Sequence, residues 1–255
     1  MLNEVQISCP RLPAAFSGLR VAVITDIHAG FGACGEESVA EAVAAANGAA
    51  PDVLLLLGDL IHHARDAAHY LPLLAGLRAR LGVWACLGNH EHGTRWYSRA
   101  ARHSEHPPNF WRRIYREMGA ELLVNEARPL EQEGQRLWLV GVDDAYSRRD
   151  DLEAALASVP ADEFRLVLTH SPDVIDDVMA DQVDLILAGH THGGQICLPS
   201  GRALHAPCRR PRHRAAGLVL ANGTQMYVSR GAGEGLSVRF NCPREIPLVT
   251  LRRGE

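Results

Sequence analysis

Short apolar runs alternate with alanine- and leucine-rich stretches through the first third of the chain. The run Val53-Leu54-Leu55-Leu56-Leu57, bounded by Pro51 and Gly58, reads as a strand covered on both faces. Residues 19–25 and 82–87 carry runs of the same kind, and residues 2–7 form a short edge strand. Between them, residues 36–50 place apolar side chains at helical spacing and close at Pro51, and a second helix is predicted over 66–81. The order is β-α-β-α-β, for which parallel strands and right-handed crossovers are expected.

Further along, the pattern predicts a helix over 109–118, a strand over 121–124 with a partner over 136–142, and a helix over 151–159. A strand over 165–169, a helix over 173–180 and a strand over 183–188 follow. Glycine-punctuated strands close the chain at 218–221, 225–230, 236–240 and 246–251. Residues 93–108, with Trp96, Tyr97, His103 and His106, are the least regular and are expected to flank the functional site as a specificity loop. No repeat of fixed period and no linker tract appears. One domain over 1–255 is therefore expected, with strands in two packed sheets and helices outside.

Composition narrows the classes. With 47% hydrophobic and 22% charged residues, the chain builds a substantial core and is not disordered. A formal charge of −4 argues against an extended nucleic-acid groove, so no nucleic-acid partner is expected. The six cysteines, Cys9, Cys34, Cys86, Cys197, Cys208 and Cys242, form no Cys-x-x-Cys pair and read as free thiols of a reducing cytosol. The first twenty residues show no export pattern, and every apolar run is far shorter than the ~18 residues of a membrane span. A cytoplasmic location without a transmembrane segment is the expectation; the sequence leaves the oligomeric state open.

The chemistry gathers at strand ends. Asp26-Ile27-His28, Gly58-Asp59, Gly88-Asn89-His90-Glu91, Thr169-His170 and Gly189-His190-Thr191-His192 each follow a predicted strand. Sheet proteins of the α/β type place ligands outside the carboxyl ends of their strands. Asp, Asn and His suit hard-to-borderline ions such as Mn, Fe, Zn or Mg. Seven candidate ligands are too many for one tetrahedral ion, whereas two divalent ions sharing a carboxylate account for them. Any one of these motifs alone is weak; five in order at five strand ends are not.

This order of motifs resembles the calcineurin-like metallophosphoesterase superfamily. The run from Gly189 to Gln195 and the tail Val228-Ser229-Arg230-Gly231 and Val238-Arg239-Phe240 are similar to its bacterial YkuE and YaeI branch. The resemblance covers residues 5–251. It implies an α/β fold: a four-layer α-β-β-α sandwich of two mixed sheets with a binuclear metal site at the strand C-terminal ends. It implies that Asp26, His28 and His192 hold one ion, that Asn89, His170 and His190 hold the other, and that Asp59 bridges them. It further implies a metal-bridging hydroxide attacking phosphorus, with His90 as the general acid. The implied activity is phosphoester hydrolysis of the diester or pyrophosphate type, on a small-molecule or lipid-linked substrate. A broad phosphomonoesterase and a non-catalytic scaffold are the alternatives; scaffolds of this superfamily lose ligands or the catalytic histidine, and here all are present.

Other residues carry open readings. His92 is expected as an exposed loop histidine. Asp143 and Asp144 either support the site or form a turn. The run from Arg209 to Arg214 is a solvated loop or a peripheral contact with an anionic membrane. Relatives carry Gly-Asp-x-x-Asp, where the second carboxylate holds the catalytic histidine; here the position is His62. An imidazole cannot raise the pKa of His90 as a carboxylate does, so an earlier loss of its acid form with rising pH is expected if the two side chains meet.

Overall fold

The computed structural model describes residues 1–93, 106, 108–209 and 214–254. In chain order the elements are β1 (Leu2–Cys9), β2 (Arg20–Ile24), α1 (Glu36–Gly48), β3 (Val53–Leu57), α2 (Ala67–Tyr70), β4 (Val83–Cys86), α3 (Pro108–Glu117) and β5 (Ala120–Leu122). There follow β6 (Glu126–Gln132), β7 (Gln135–Gly141), α4 (Leu152–Leu156), β8 (Phe164–Leu168), β9 (Leu185–Ala188), β10 (Gly217–Ala221), β11 (Thr224–Val228) and β12 (Ile246–Arg253). They form two six-stranded sheets, ordered β1-β12-β2-β3-β4-β5 and β10-β11-β9-β8-β7-β6. Both are mixed: β2, β3, β4 and β5 run parallel beside an antiparallel β12, and β7, β8, β9 and β11 run parallel between antiparallel edges.

The layering follows from the period of two along a strand. In β3, Val53, Leu55 and Leu57 face the other sheet and meet Leu139, Phe164, Leu166 and Leu187. Leu54 and Leu56 point the opposite way, onto Val39, Ala42 and Ala46 of α1 and Trp111 and Tyr115 of α3. On the far side, Val140, Val167 and Ile186 lie under Leu152 and Ala155 of α4 and under Val174 and Ile175. The result is the α-β-β-α sandwich, and it explains why β3 reads as an unbroken apolar run.

Several expectations are corrected. The helix over 66–81 is only α2 continued by a 3-10 turn, Leu71–Gly76, because Pro72 cannot donate an amide to an α-helical ladder. The helix over 173–180 reduces to a 3-10 turn, Pro172–Asp176. The helix over 151–159 shortens to α4, capped by the Asp151 carboxylate accepting from Ala154 N at 2.9 Å. The strand over 121–124 does not pair with that over 136–142: β5 lies beside β4, and β7 pairs with β6 in the other sheet. The β6 strand escapes a hydrophobicity reading because it is an edge strand, polar on one face and tolerant of Pro129. Residues 236–240 form no strand, only a bridge from Phe240 to Ile196. Within the predicted loop 93–108, Trp96, Tyr97 and His103 lie outside the described residues.

Candidate metal centre

The loops after β2, β3 and β4 in one sheet and after β8 and β9 in the other meet at one end of the sandwich. Their approach requires glycine. A Cβ on Gly189 would stand 2.3 Å from Thr25 Oγ1 and 2.6 Å from Asp26 Oδ2. Asp26, His28, Asp59, His190 and His192 all adopt positive φ, between 50° and 70°. Each such residue costs on the order of 1–3 kcal/mol, and strain of this kind concentrates at functional sites.

Among the described residues three groups draw their ligand atoms within 4.8 Å of one another: Asp26, His28 and His192; Asp59, His170 and His190; and, sharing His28, the trio His28, His62 and His90. In the first, His28 Nε2 and His192 Nε2 are 2.9 Å apart and lie 4.0 and 3.6 Å from Asp26 Oδ1. The other oxygen of Asp26 is occupied, accepting from Thr25 Oγ1 at 2.8 Å and His190 N at 2.9 Å. Oδ1 has no hydrogen-bond partner although it is buried. In the second, His170 Nε2 lies 3.1 Å from His190 Nδ1 and 3.2 Å from Asn89 Oδ1. Asp59 stands between them: its Oδ2 is 3.6 Å from His28 Nε2 and 3.3 Å from His170 Nε2. All seven side chains are buried. The orphaned Asp26 Oδ1 and the ring nitrogens that converge beside it fit a pair of cations.

Burial sets the protonation. It holds His28 and His192 well below the ordinary histidine range and His190 at about 3, so these rings are neutral and ready to ligate. Burial likewise lifts Asp26 to about 6. Burial opposes charge on His170 too, but the Asp59 carboxylate overcomes it and holds the imidazolium well above the usual range. In turn His170 keeps Asp59 well below the carboxylate range against the burial.

His90 sits at the mouth, its Nε2 3.9 Å from Asp59 Oδ2, and its backbone N donates to Asp59 Oδ1 at 2.9 Å. Its Nδ1 meets the backbone carbonyl of His62 at 2.6 Å. The acceptor facing Nδ1 is thus main chain, not the side-chain carboxylate that the resemblance implies. The His62 ring stacks on Phe31 and brings its Nδ1 to 3.4 Å from Nδ1 of His28.

Glu91, to which sequence reasoning gave no role, is fully buried and ties two ligand loops together. Its Oε2 accepts from Asp59 N at 2.8 Å and Gly88 N at 2.9 Å, and its Oε1 accepts from Leu60 N at 3.0 Å. The only signal was its place in Gly-Asn-His-Glu. His92 is not exposed as expected: it is buried, 2.7 Å from Asp143 Oδ1. Asp144 accepts from Tyr146 N and Ser147 N, and the Tyr146 ring packs 4.6 Å from that of His190. Arg239 turns inward, with Nη2 3.3 Å from His192 Nδ1. Of the basic run, Arg209 reaches Asp173 and Arg214 pairs with Asp176, while residues 210–213 lie outside the described residues.

The calcineurin-like phosphoesterase family model matches residues 19–194, more than half of the chain and every one of these loops. The chain belongs to the calcineurin-like phosphoesterase family. It is a metal-dependent phosphoesterase. The metallophosphoesterase YkuE of Bacillus subtilis (strain 168) is 28% identical over 98% of this chain and 85% of its own length. Phosphodiesterase YaeI of Escherichia coli (strain K12) is 28% identical over 84% of this chain and 75% of its own. The UDP-2,3-diacylglucosamine pyrophosphatase LpxG of Chlamydia trachomatis serovar D is 24% identical over 94% of this phosphoesterase and 85% of itself. Among the described residues, no helix is long and apolar enough to cross a membrane.

Proposed function

We propose that this phosphoesterase is a binuclear-metal enzyme hydrolysing phosphodiester or pyrophosphate bonds. The observation that carries this reading is the single oxygen, Asp59 Oδ2, facing His28 of one ligand group and His170 of the other. Asp26, His28 and His192 hold one divalent ion; Asn89, His170 and His190 hold the second; Asp59 is shared. Two such ions, of the Mn, Fe, Zn or Mg class, would supply charge neutralisation and lower the pKa of a bound water to about 7.

The protein's own groups do the rest. Glu91 keeps Asp59 and Asn89 in register through the two loops. His90, with its Nδ1 facing the His62 carbonyl, presents Nε2 as the nitrogen that carries a transferable proton to the leaving oxygen. The diester or pyrophosphate preference draws on the activities named for YaeI and LpxG, and a small or lipid-linked phosphoester is the corresponding substrate class. A single domain is supported by β1, at the start of the chain, pairing with β12 at its end. Five buried cysteine thiols accord with a cytoplasmic setting.

The test is a comparison of metal-loaded protein on bis-p-nitrophenyl phosphate, p-nitrophenyl phosphate and a nucleotide-sugar pyrophosphate. Higher kcat/KM on the diester or pyrophosphate is expected. A preference for the monoester would instead support a broad phosphomonoesterase.

A further inference from the structure

Beside the metal centre the chain builds a small ribbon whose outer face is apolar. After His192 the backbone turns through Gln195, and residues 196–198 pair with 202–204: Cys197 bridges Ala203, and Leu204 N donates to Ile196 O. On the other flank Phe240 bridges Ile196. Cys197 and Ala203 point inward, where they pack with Cys242. Positions 196 and 198, 202 and 204, and 240 therefore share the opposite, outward face. There Leu198, Leu204 and Phe240 are 43%, 63% and 59% exposed, and the adjoining Leu236 and Val238 are 55% and 58% exposed.

This exposure is imposed by the frame. The Gln195 carboxamide accepts from Gly235 N and Leu236 N, both at 2.8 Å, and donates to Leu236 O and Val238 O at 2.8 and 3.0 Å. The Arg239 guanidinium, between the two apolar positions 238 and 240, is tied inward to the carbonyls of Arg230 and Gly233, each at 2.7 Å. The apolar side chains cannot turn in without breaking this clamp. Contiguous exposed apolar surface of this kind marks an interaction site.

We infer that this ribbon docks the phosphoesterase on an anionic lipid bilayer. Two observations choose that occupant. The segments 195–204 and 235–242 contain two arginines, Arg202 and Arg239, and no carboxylate. Arg202 lies on the outward face opposite Leu198, placing a cation where anionic headgroups would meet the apolar side chains. Finally, the ribbon adjoins the catalytic end, since a Cβ on Gly235 would stand 2.9 Å from His192 Nε2. Docking so oriented holds the metal centre at the membrane surface. The inference does not depend on the diester preference, and it is read without turnover.

The experiment is co-sedimentation of the full chain with vesicles of phosphatidylcholine alone and of phosphatidylcholine with phosphatidylglycerol. Binding to the anionic vesicles, weakened by salt, is expected. The triple variant Leu204→Ser, Val238→Ser, Phe240→Ser should bind at least about tenfold more weakly. Arg202→Gln should bind about fivefold more weakly, with the preference for anionic vesicles reduced. Both variants should melt at the wild-type temperature, which shows that they fold. Absent binding, equal binding to both vesicles, or unchanged binding by the triple variant overturns the inference. So does a wild-type dimer in analytical ultracentrifugation that the triple variant converts to monomer, since a second copy then covers the face.

Discussion

Replacing Glu91 by glutamine separates a bracing role from a ligand role. The carboxylate accepts three backbone amides, two on Oε2 and one on Oε1. Glutamine keeps the shape, and with its oxygen in the Oε2 position it retains the bonds to Asp59 N and Gly88 N. Its NH2 group then faces Leu60 N, donor against donor. One buried amide loses its acceptor, at a cost of about 1–3 kcal/mol. For a chain of this size a kcal/mol is worth about 2–4 °C, so the melting temperature of metal-free protein should fall by about 2–12 °C. The displaced loops carry Asp59 and Asn89, so affinity for divalent ions should drop by about 10–100-fold, as when a partner of a ligand is lost. Alanine is less informative, because three orphaned amides approach the whole stability of an ordinary domain. Thermal melts and competitive metal titration of the glutamine variant read both effects. Unchanged melting together with unchanged affinity would refute the bracing role.

Other outcomes follow from the same geometry. His90→Asn should lower turnover by about 10²–10⁴ while metal content stays at wild type; lost metal would make His90 a ligand. Gly189→Ala should lower both stability and metal affinity, because its Cβ would collide with Thr25 and Asp26; a variant with wild-type melting would show that the two sheets' loops have slack. Metal uptake should release a proton. The Asp59 carboxylate holds His170 protonated well above the usual histidine range, and a ligand must be neutral. Above about pH 6, where Asp26 is ionised, affinity should therefore rise with pH by up to about tenfold per unit until the raised His170 pKa is passed, and then level off. Calorimetric titration in buffers of different ionisation enthalpy counts that proton, and none released near pH 7 would contradict the Asp59–His170 pairing.

The polar strand ends were more legible in the sequence than several of the elements around them. Strand ends such as Leu57-Gly58-Asp59 declare themselves because a doubly covered strand is apolar throughout and its first polar residues fall at the carboxyl end. The β6 strand and its hairpin with β7 did not, because an edge strand has a wet face and tolerates Pro129. The helix over 66–81 was overread because leucine spacing says nothing of the amide that Pro72 lacks. His92 and Glu91 were missed for a common reason: a polar side chain is buried only when distant partners satisfy it. Asp143 lies some fifty residues from His92, and the Asp59 and Leu60 amides about thirty from Glu91. The His62 carbonyl beside His90 is a main-chain contact, invisible in residue identity.

The central claim is that one chain holds two ions across a shared Asp59. Elemental analysis of protein loaded with manganese and freed of excess ion tests it most directly, with wild type beside Asp59→Asn and with diester hydrolysis measured on the same samples. The account predicts two ions per wild-type chain, loss of both ions and activity on chelation, recovery of both on reloading, and weakened retention of both ions in Asp59→Asn. Full diester hydrolysis with only one ion per chain, or an Asp59→Asn protein that still holds two as tightly as wild type, would contradict it.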